Sequence, residues 1–313
     1  AVNARSAILV TAADLAPQAL ALLADYEVVY AGKTPDEDSI TALCEQHQPV
    51  AIIVRYGKIP ARVMDASKAL RVISKHGSGT DTIDSKAAAA RGIAVKAAVG
   101  ANADAVAEHA WALILGCAKG VVALDARMRA GFWDKATHKS LELRGKTLGV
   151  VGVGAIGRRV AELGVAFGME VLAFDPFAKA APEAATLVDL AELFRQSHVV
   201  SLNCPLTEDN RHMVNRASLA TMRDGAILVN TGRGGLIDEP ALLEALASGK
   251  LRAAGLDAFA TEPLVGEPAF RAVPNVILSP HIGGVSEDAY VNMGTAAARN
   301  VLAVLSQPRP VAA

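Results

Sequence analysis

Short apolar runs rich in valine and isoleucine alternate with longer alanine- and leucine-rich stretches along most of this chain. The runs lack regular apolar–polar alternation, which predicts strands buried on both faces and therefore parallel sheets covered by helices. The predicted strands are Ala7–Thr11, Glu27–Ala31, Ala51–Arg55, Val72–Lys75, Ile93–Lys96, Thr147–Gly152, Glu170–Phe174, His198–Asn203, Ala226–Asn230, Ala253–Asp257 and Val276–Ser279. The pattern indicates an α/β fold.

One long stretch without a strand signal separates the first five predicted strands from the last six. It runs from Asn102 toward Arg129 and is predicted as a long helix joining two α/β units, with interruptions at Gly116 and Gly120. A length of 313 residues also exceeds the size at which one hydrophobic core usually divides. We therefore expect two domains, each with a doubly wound parallel sheet.

The last helical stretch, Glu287–Leu305, can return the chain to the first domain. The expected domains are then residues 1–98 with 287–313, and residues 99–286. No repeat, low-complexity tract or proline- and serine-rich linker stands between them, which favours two docked lobes with a cleft between.

The charge balance excludes several classes of partner. There are 31 Lys and Arg against 32 Asp and Glu, so we expect no nucleic-acid or anionic-membrane binding. The longest uncharged run, Ala272–Ser286, is broken by two prolines, and the N-terminus shows no signal segment. The cysteines, Cys44, Cys117 and Cys204, lack metal or disulfide spacing. We expect a cytoplasmic protein without a metal.

The strongest local motif is a glycine triplet, Gly152, Gly154 and Gly157, between a valine-rich strand and a helical run. The three glycines allow a tight turn, a close approach of backbone to a pyrophosphate, and close packing of helix on strand. Asp175 follows Gly152 by 23 residues and can bind a ribose while repelling a 2′-phosphate. The motif predicts NAD. A related loop binds S-adenosylmethionine, and a ligand-free strand–turn–helix is the simplest alternative.

Three later strand ends carry Arg233, Glu262 and His281. Ligands bind at the carboxyl ends of strands in such sheets, so these side chains are expected to share one crevice. An arginine can hold a carboxylate with two parallel bonds, a histidine exchanges a proton near neutral pH, and a glutamate can orient its ring. Taken singly, each residue is equally consistent with a solvated or packed loop position.

Four further segments are informative: Lys75–Asp84, Val106–His109, Gly131–Trp133 and Asn203–Thr207. Together with the glycine motif and the three strand ends, they make the chain from about Val50 to Leu305 resemble the D-isomer-specific 2-hydroxyacid dehydrogenases. The resemblance is to the phosphoglycerate dehydrogenase and hydroxypyruvate/glyoxylate reductase branch. It implies a Rossmann NAD domain, a flavodoxin-like substrate domain, and a homodimer with the long helix in its interface. A regulatory ACT domain is not expected.

The resemblance also implies site residues. Besides the glycine triplet and Asp175, the implied cofactor contacts are Ser78, Ala155, Ile156, Cys204, Thr231, Gly232, Asp257, Gly283 and Gly284. The implied substrate contacts are Arg55, Ser78, Gly79 and Arg233. Asn203, where many members have His, and Gly284-Val285 depart from the family pattern and put the cofactor fit in question.

By the same resemblance, Arg233 anchors and polarises a 2-oxo acid, His281 is the acid/base, and Glu262 pairs with it. The implied function is an NAD-dependent D-2-hydroxyacid dehydrogenase, or 2-oxo acid reductase. An NADH-sensing corepressor on the same scaffold is the alternative from another class, although no tails for partner recruitment stand out. Formate dehydrogenases carry Gln in place of Glu262.

The substrate is open between two groups. Arg55 and Lys75 are either surface cations or the ligands of a second anionic group, as in 3-phosphoglycerate. Without such a group, hydroxypyruvate or glyoxylate is the candidate. His76 is a possible substrate contact, and His109 is interpreted as a packing residue.

Overall fold

A computed structural model of the protein describes residues 5–266 and 269–308. The chain divides into two compact units, one formed by the residues up to Asn102 together with those from Val285 onward, and the other by Ala103–Gly284. Each unit holds one parallel sheet, which confirms the predicted fold class.

The elements of the described residues follow in chain order. The strands are β1 (Ala7–Val10), β2 (Glu27–Tyr30), β3 (Ala51–Val54), β4 (Val72–Lys75), β5 (Ala94–Ala97), β6 (Thr147–Val151), β7 (Glu170–Phe174), β8 (Ala185–Leu187), β9 (Val199–Leu202), β10 (Ala226–Asn230), β11 (Leu251–Leu256) and β12 (Val276–Leu278). The α-helices are α1 (Pro17–Leu22), α2 (Glu37–His47), α3 (Ala61–Ala66), α4 (Ser85–Ala90), α5 (Ala103–Lys119), α6 (Val121–Arg129), α7 (Ala155–Ala166), α8 (Leu190–Gln196), α9 (Arg216–Thr221), α10 (Glu239–Ala247) and α11 (Glu287–Leu305).

Strand order fixes where each sheet can bind a ligand. The first sheet runs β2-β1-β3-β4-β5, and the second runs β12-β11-β10-β9-β6-β7-β8. The order in which strands are added changes direction between β1 and β3 in one sheet and between β6 and β9 in the other, although all strands are parallel. Loops diverge at such switch points and leave a crevice at the carboxyl ends of the strands.

The strands are buried because helices cover both faces of each sheet. All four residues of β1, β3 and β9 are buried. Successive residues enter different core clusters: Leu228 packs in one, whereas its neighbours Ile227 and Val229 pack in another. This period of two is the geometry of a pleated strand between two helical layers, and it explains the continuous apolar runs.

Helix α11 belongs to the first unit despite its place late in the chain. Its Ala297 and Val301 pack in one core cluster with Ile8 and Val10 of β1. The helix begins at Ser286, whose hydroxyl accepts from the backbone N–H of Ala289 at 3.0 Å and caps it. The predicted helix Glu287–Leu305 has these limits.

Two local predictions were wrong. Strand β8 was missed because it is a three-residue edge strand with a largely exposed pattern. Gly116 does not interrupt α5; a Cβ there would lie 2.8 Å from Ile277, so this glycine lets the helix approach β12. The break falls at Gly120, which has φ +70° and separates α5 from α6 at an angle of 62°.

Within the described ranges, no single helix is long and apolar enough to cross a membrane. The bent pair α5–α6 has the length and composition of a membrane span only when its two helices are taken together. Nine residues of α5 are buried in the core of the protein.

Candidate active site

The glycine turn after β6 lies at the switch point of the second sheet. Gly152 has φ +89°, and a Cβ on it would lie 2.8 Å from the carbonyl oxygen of Asn203. A Cβ on Gly157 would lie 1.8 Å from the carbonyl oxygen of Gly152, so α7 packs directly against the turn. Gly154 is different because nothing lies within 4 Å of its Cβ position. The open face of the turn is therefore at Gly154.

Two features of the described residues fit a dinucleotide at this turn. Helix α7 begins at Ala155 and Ile156 behind Gly154 without a side-chain cap, so its first N–H groups suit a pyrophosphate. Thr231 follows β10, and its hydroxyl oxygen is buried without a hydrogen-bond partner within the described part of the chain. Buried polar atoms rarely stay unpaired, so a ligand group is the expected partner.

Asp175 ends β7 and ties the strand to the turn. One carboxylate oxygen accepts from the N–H of Val153 at 3.0 Å, and the other accepts from the N–H of Phe177 at 2.9 Å. A carboxylate has about four acceptor positions, so these bonds leave capacity for ribose hydroxyls. Asp175 therefore also shapes the turn, a role that the spacing did not reveal.

Cys204 and Gly232 lie on two loops that meet beside the turn. A Cβ on Gly152 would lie 2.9 Å from the Cβ of Cys204, and a Cβ on Gly232 would lie 3.0 Å from the carbonyl oxygen of Cys204. Burial raises the pKa of the Cys204 thiol to about 11, so it is neutral near pH 7. Packing, rather than thiol chemistry, accounts for this cysteine.

The glycine geometry makes a paired prediction. Gly154→Ala should fold normally, since φ is −68° and the Cβ position is open, but raise the NADH Kd by about tenfold by filling the face of the turn. Gly157→Ala should lower the free energy of unfolding by about 2 kcal/mol or more through overpacking. Denaturant unfolding and a fluorescence titration with NADH separate the two effects. Equal loss of stability in both variants would contradict this account.

His281 and Glu262 form a hydrogen-bonded pair. Nδ1 of His281 lies 2.7 Å from a carboxylate oxygen of Glu262, and the two side chains are 45% and 35% exposed. The other Glu262 oxygen accepts from the N–H of Phe259 at 2.9 Å, which fixes the carboxylate. Because Nδ1 is engaged, Nε2 is the ring nitrogen that could exchange a proton with a ligand.

The Arg233 loop packs against the loop that carries Glu262. Gly234 is in such close contact that a Cβ on it would lie 1.9 Å from the carbonyl carbon of Phe259. The side chain of Asn230, the last residue of β10, holds the Arg233 loop through two hydrogen bonds. Its amide donates to the Arg233 carbonyl at 2.9 Å, and its oxygen accepts from the N–H of Gly232 at 2.9 Å. Strands β10, β11 and β12 are neighbours, so all three predicted catalytic residues lie at one edge of this sheet.

Asp257 organises the loop that bears His281. It is 2% exposed and accepts from the N–H groups of Ile282 at 2.9 Å and Gly283 at 2.8 Å. The Ser279 hydroxyl donates to it at 2.7 Å. His281 itself has φ +53°, an unfavourable backbone conformation that these bonds on both sides stabilise. Gly284 ends the loop and the unit.

His109 of α5 extends this network, although the sequence suggested only packing. Its Nε2 lies 2.9 Å from the Ser279 hydroxyl and 3.5 Å from a carboxylate oxygen of Asp257. Ser279 and His109 are 170 positions apart, so no local pattern could have found the contact.

The remaining predicted residues, Arg55, Ser78 and Gly79, lie in the first unit at the carboxyl ends of β3 and β4. Ser78 is exposed, and its hydroxyl donates to the side-chain oxygen of Asn102 at 3.2 Å. His76, two residues before Ser78, is buried. This burial, together with the positive charge of Arg55, lowers the pKa of His76 to about 4. A neutral, largely inaccessible imidazole does not suit His76 to proton transfer.

The described residues contain no group of three or more His, Cys, Asp or Glu arranged to hold a metal ion. What they do assemble is a glycine turn suited to a dinucleotide and, at the same edge of the sheet, a hydrogen-bonded histidine and glutamate with an arginine on a neighbouring loop. Such a fold and site define a nicotinamide-dependent oxidoreductase.

Comparison with known proteins gives the family. A family model for the NAD binding domain of D-isomer specific 2-hydroxyacid dehydrogenases matches residues 111–283. A hydroxypyruvate reductase of Thermotoga maritima is 42% identical over 247 residues, which cover 78% of this chain and 81% of that protein. The chain therefore belongs to the D-isomer-specific 2-hydroxyacid dehydrogenases, NAD-dependent enzymes that act on the CH–OH group of 2-hydroxy acids.

Two further relatives support the same branch. A D-3-phosphoglycerate dehydrogenase of Mycobacterium tuberculosis is 37% identical over 96% of this chain, which spans only 57% of that protein. The solved structure of a glyoxylate reductase from Paecilomyes thermophila has a TM-score of 0.87 at 32% identity and covers 98% of this chain and 97% of its own. These relatives are dehydrogenases and reductases, which favours the oxidoreductase interpretation over the corepressor.

Proposed function

We propose that the protein reduces a short 2-oxo acid with NADH and catalyses the reverse oxidation of the D-2-hydroxy acid. The observation that carries the proposal is the 2.7 Å bond between His281 and Glu262. Asp257 holds the loop of His281, and the loop of Glu262 packs against the Arg233 loop. An imidazole in a fixed position can protonate a bound ketone, and an arginine of the same sheet edge can hold its carboxylate.

Each residue of the site has its own role in the proposed reaction. Bound NADH supplies a hydride. Arg233 holds the substrate carboxylate with two parallel bonds and polarises the carbonyl. Protonated His281 donates from Nε2 to the oxygen on carbon 2, while Glu262 keeps the ring in place. In the oxidation, neutral His281 accepts that proton.

A substrate panel tests the proposal. We expect NADH oxidation with at least one of glyoxylate, hydroxypyruvate, pyruvate, phosphohydroxypyruvate and sulfopyruvate, and a lower rate with NADPH because Asp175 would repel a 2′-phosphate. Asp175→Ala should reduce the difference between the rates measured with NADH and with NADPH. Absence of NADH oxidation with every compound, in protein that binds NADH, would reject the proposal.

We also propose a homodimer formed through α6 and the segment after it. None of the α6 side chains is buried, and Val121, Val122 and Trp133 are 55%, 56% and 75% exposed. Apolar surface of this kind is typical of an interface. Sedimentation should give a dimer in the wild type and a monomer when Val122 is changed to Glu; an unaltered dimer would place the interface elsewhere.

A reducing compartment, the cytoplasm, is proposed as the location. Cys44, Cys117 and Cys204 are free thiols, and burial raises the pKa of the first two to about 12. Free buried cysteines of this kind suit a compartment that keeps thiols reduced.

A further inference from the structure

The first unit carries an ion pair that the proposed mechanism does not use. Asp14 follows β1 and Arg55 follows β3, the two strands that flank the switch point of the first sheet. Nη1 of Arg55 lies 2.8 Å from Oδ1 of Asp14 and donates also to the Asp14 carbonyl at 3.2 Å. The crevice at the end of this sheet is therefore lined by a carboxylate as well as a guanidinium.

Two aromatic side chains hold the pair in place. The hydroxyl of Tyr290, on α11, donates to the same Oδ1 of Asp14 at 2.6 Å. The guanidinium carbon of Arg55 lies 5.0 Å from the ring centre of Tyr290 and 5.4 Å from that of Tyr56. An arginine stacked on aromatic rings and bonded to a carboxylate has a fixed position and little freedom to turn toward another anion.

The carboxylate is the more accessible partner. The Asp14 side chain is 67% exposed, whereas that of Arg55 is 18% exposed. The hydrogen bonds from Tyr290 and Arg55 lower the pKa of Asp14, so it is ionised at neutral pH. The negatively charged member of the pair is therefore the one with more surface open to a ligand. Both side-chain bonds that Asp14 accepts within the described residues end on Oδ1, which leaves Oδ2 able to accept another.

The pair adjoins the loop assigned to the substrate carboxylate. Nζ of Lys75 donates to the Arg55 carbonyl at 3.3 Å, and the ring of His76 lies 5.9 Å from that of Tyr290. Ser78 and Gly79 follow two residues later. Asp14, Arg55 and this loop therefore all follow strands at the carboxyl end of the first sheet, which is where we place a group on carbon 3 of a bound 2-oxo acid.

We infer that the Asp14–Arg55 pair selects a 2-oxo acid with an uncharged hydroxyl on carbon 3 and discriminates against one with a phosphate there. This inference rests on the proposed function. The hydroxyl donates to Asp14, whereas a phosphate is repelled by the same carboxylate and finds Arg55 already paired. Hydroxypyruvate has the selected chemistry, and phosphohydroxypyruvate has the rejected one.

The test compares kcat/KM for these two compounds in the wild type and in Asp14→Asn. The wild type should prefer hydroxypyruvate, and the substitution should shift the ratio toward phosphohydroxypyruvate by about tenfold or more, chiefly through a lower KM for the phosphorylated compound. Asp14→Glu, which restores the charge, should keep the wild-type preference.

Asp38→Asn is the matched control, because Asp38 is exposed and pairs with Arg62 at 2.6 Å elsewhere in the first unit. It should leave the ratio unchanged. Glyoxylate has no carbon 3, so its kcat/KM should stay within about twofold in Asp14→Asn. An unchanged ratio in Asp14→Asn with normal glyoxylate reduction would overturn the inference and leave the proposed function standing. A wild type that reduces no 2-oxo acid would overturn the proposed function itself.

Discussion

His281→Asn should lower kcat for 2-oxo acid reduction by about 10²–10⁴-fold, with NADH binding nearly unchanged. We expect a large loss because the proposed mechanism assigns the transfer of a proton to the carbonyl oxygen to this imidazole alone. Asparagine is the chosen replacement because φ at His281 is +53°, a conformation that asparagine adopts at lower cost than alanine. Stopped-flow turnover and NADH fluorescence give the two quantities.

The chain offers a matched control for this variant. His212 is an exposed histidine with φ +52° in the same unit, and its backbone N–H, which asparagine keeps, donates to the Gly235 carbonyl at 2.9 Å. His212→Asn therefore repeats the chemical and backbone change outside the His281–Glu262 pair. It should keep wild-type kcat. If His281→Asn also turned over at the wild-type rate, the proton donor would have to be another residue.

Arg233→Lys should reduce kcat/KM for the preferred 2-oxo acid by about 10²–10³-fold, because one or two charge-assisted hydrogen bonds to the substrate are lost. Lysine keeps the positive charge but not the planar fork that holds a carboxylate through two parallel bonds. Arg233 has φ −131° and ψ 142°, which lysine adopts freely, so the fold should be retained. Steady-state kinetics with thermal unfolding distinguish catalysis from stability.

Arg216→Lys is the comparison for that variant. Arg216 makes a two-pronged contact with Glu244 on the surface, including a bond of 2.7 Å, and the substitution removes a similar fork outside the site. Its kcat/KM should match the wild type. Equal kinetics in Arg233→Lys and Arg216→Lys would show that Arg233 does not hold the substrate.

Much of the scaffold could be predicted from sequence because its determinants are local. A strand buried on both faces needs an unbroken apolar run, and β1, β3 and β10 each have one. Strand β8 has only three residues and a mostly exposed pattern, so its sequence carries no such signal. Gly116 was misjudged because a glycine that admits a neighbouring side chain and a glycine that ends a helix look alike in sequence.

The site was only partly predictable for a related reason. Residues at strand ends can be found by counting along the chain, which located Arg233, Glu262 and His281. Other contacts join distant positions: His109 reaches Ser279 across 170 residues in the network around the His281 loop, and in the first unit Tyr290 reaches Asp14 across 276. Those pairings depend on the completed fold, so the sequence pattern contained no trace of them.

The position of α11 has a consequence for biosynthesis. Ala297 and Val301 complete a core whose other members, such as Ile8 and Val10, leave the ribosome nearly three hundred residues earlier. The unit made first therefore cannot close until translation has passed α11, whereas Ala103–Gly284 is already whole by then. Until α11 is made, the face of β1 that carries Ile8 and Val10 lacks the helix that packs against it in the finished fold.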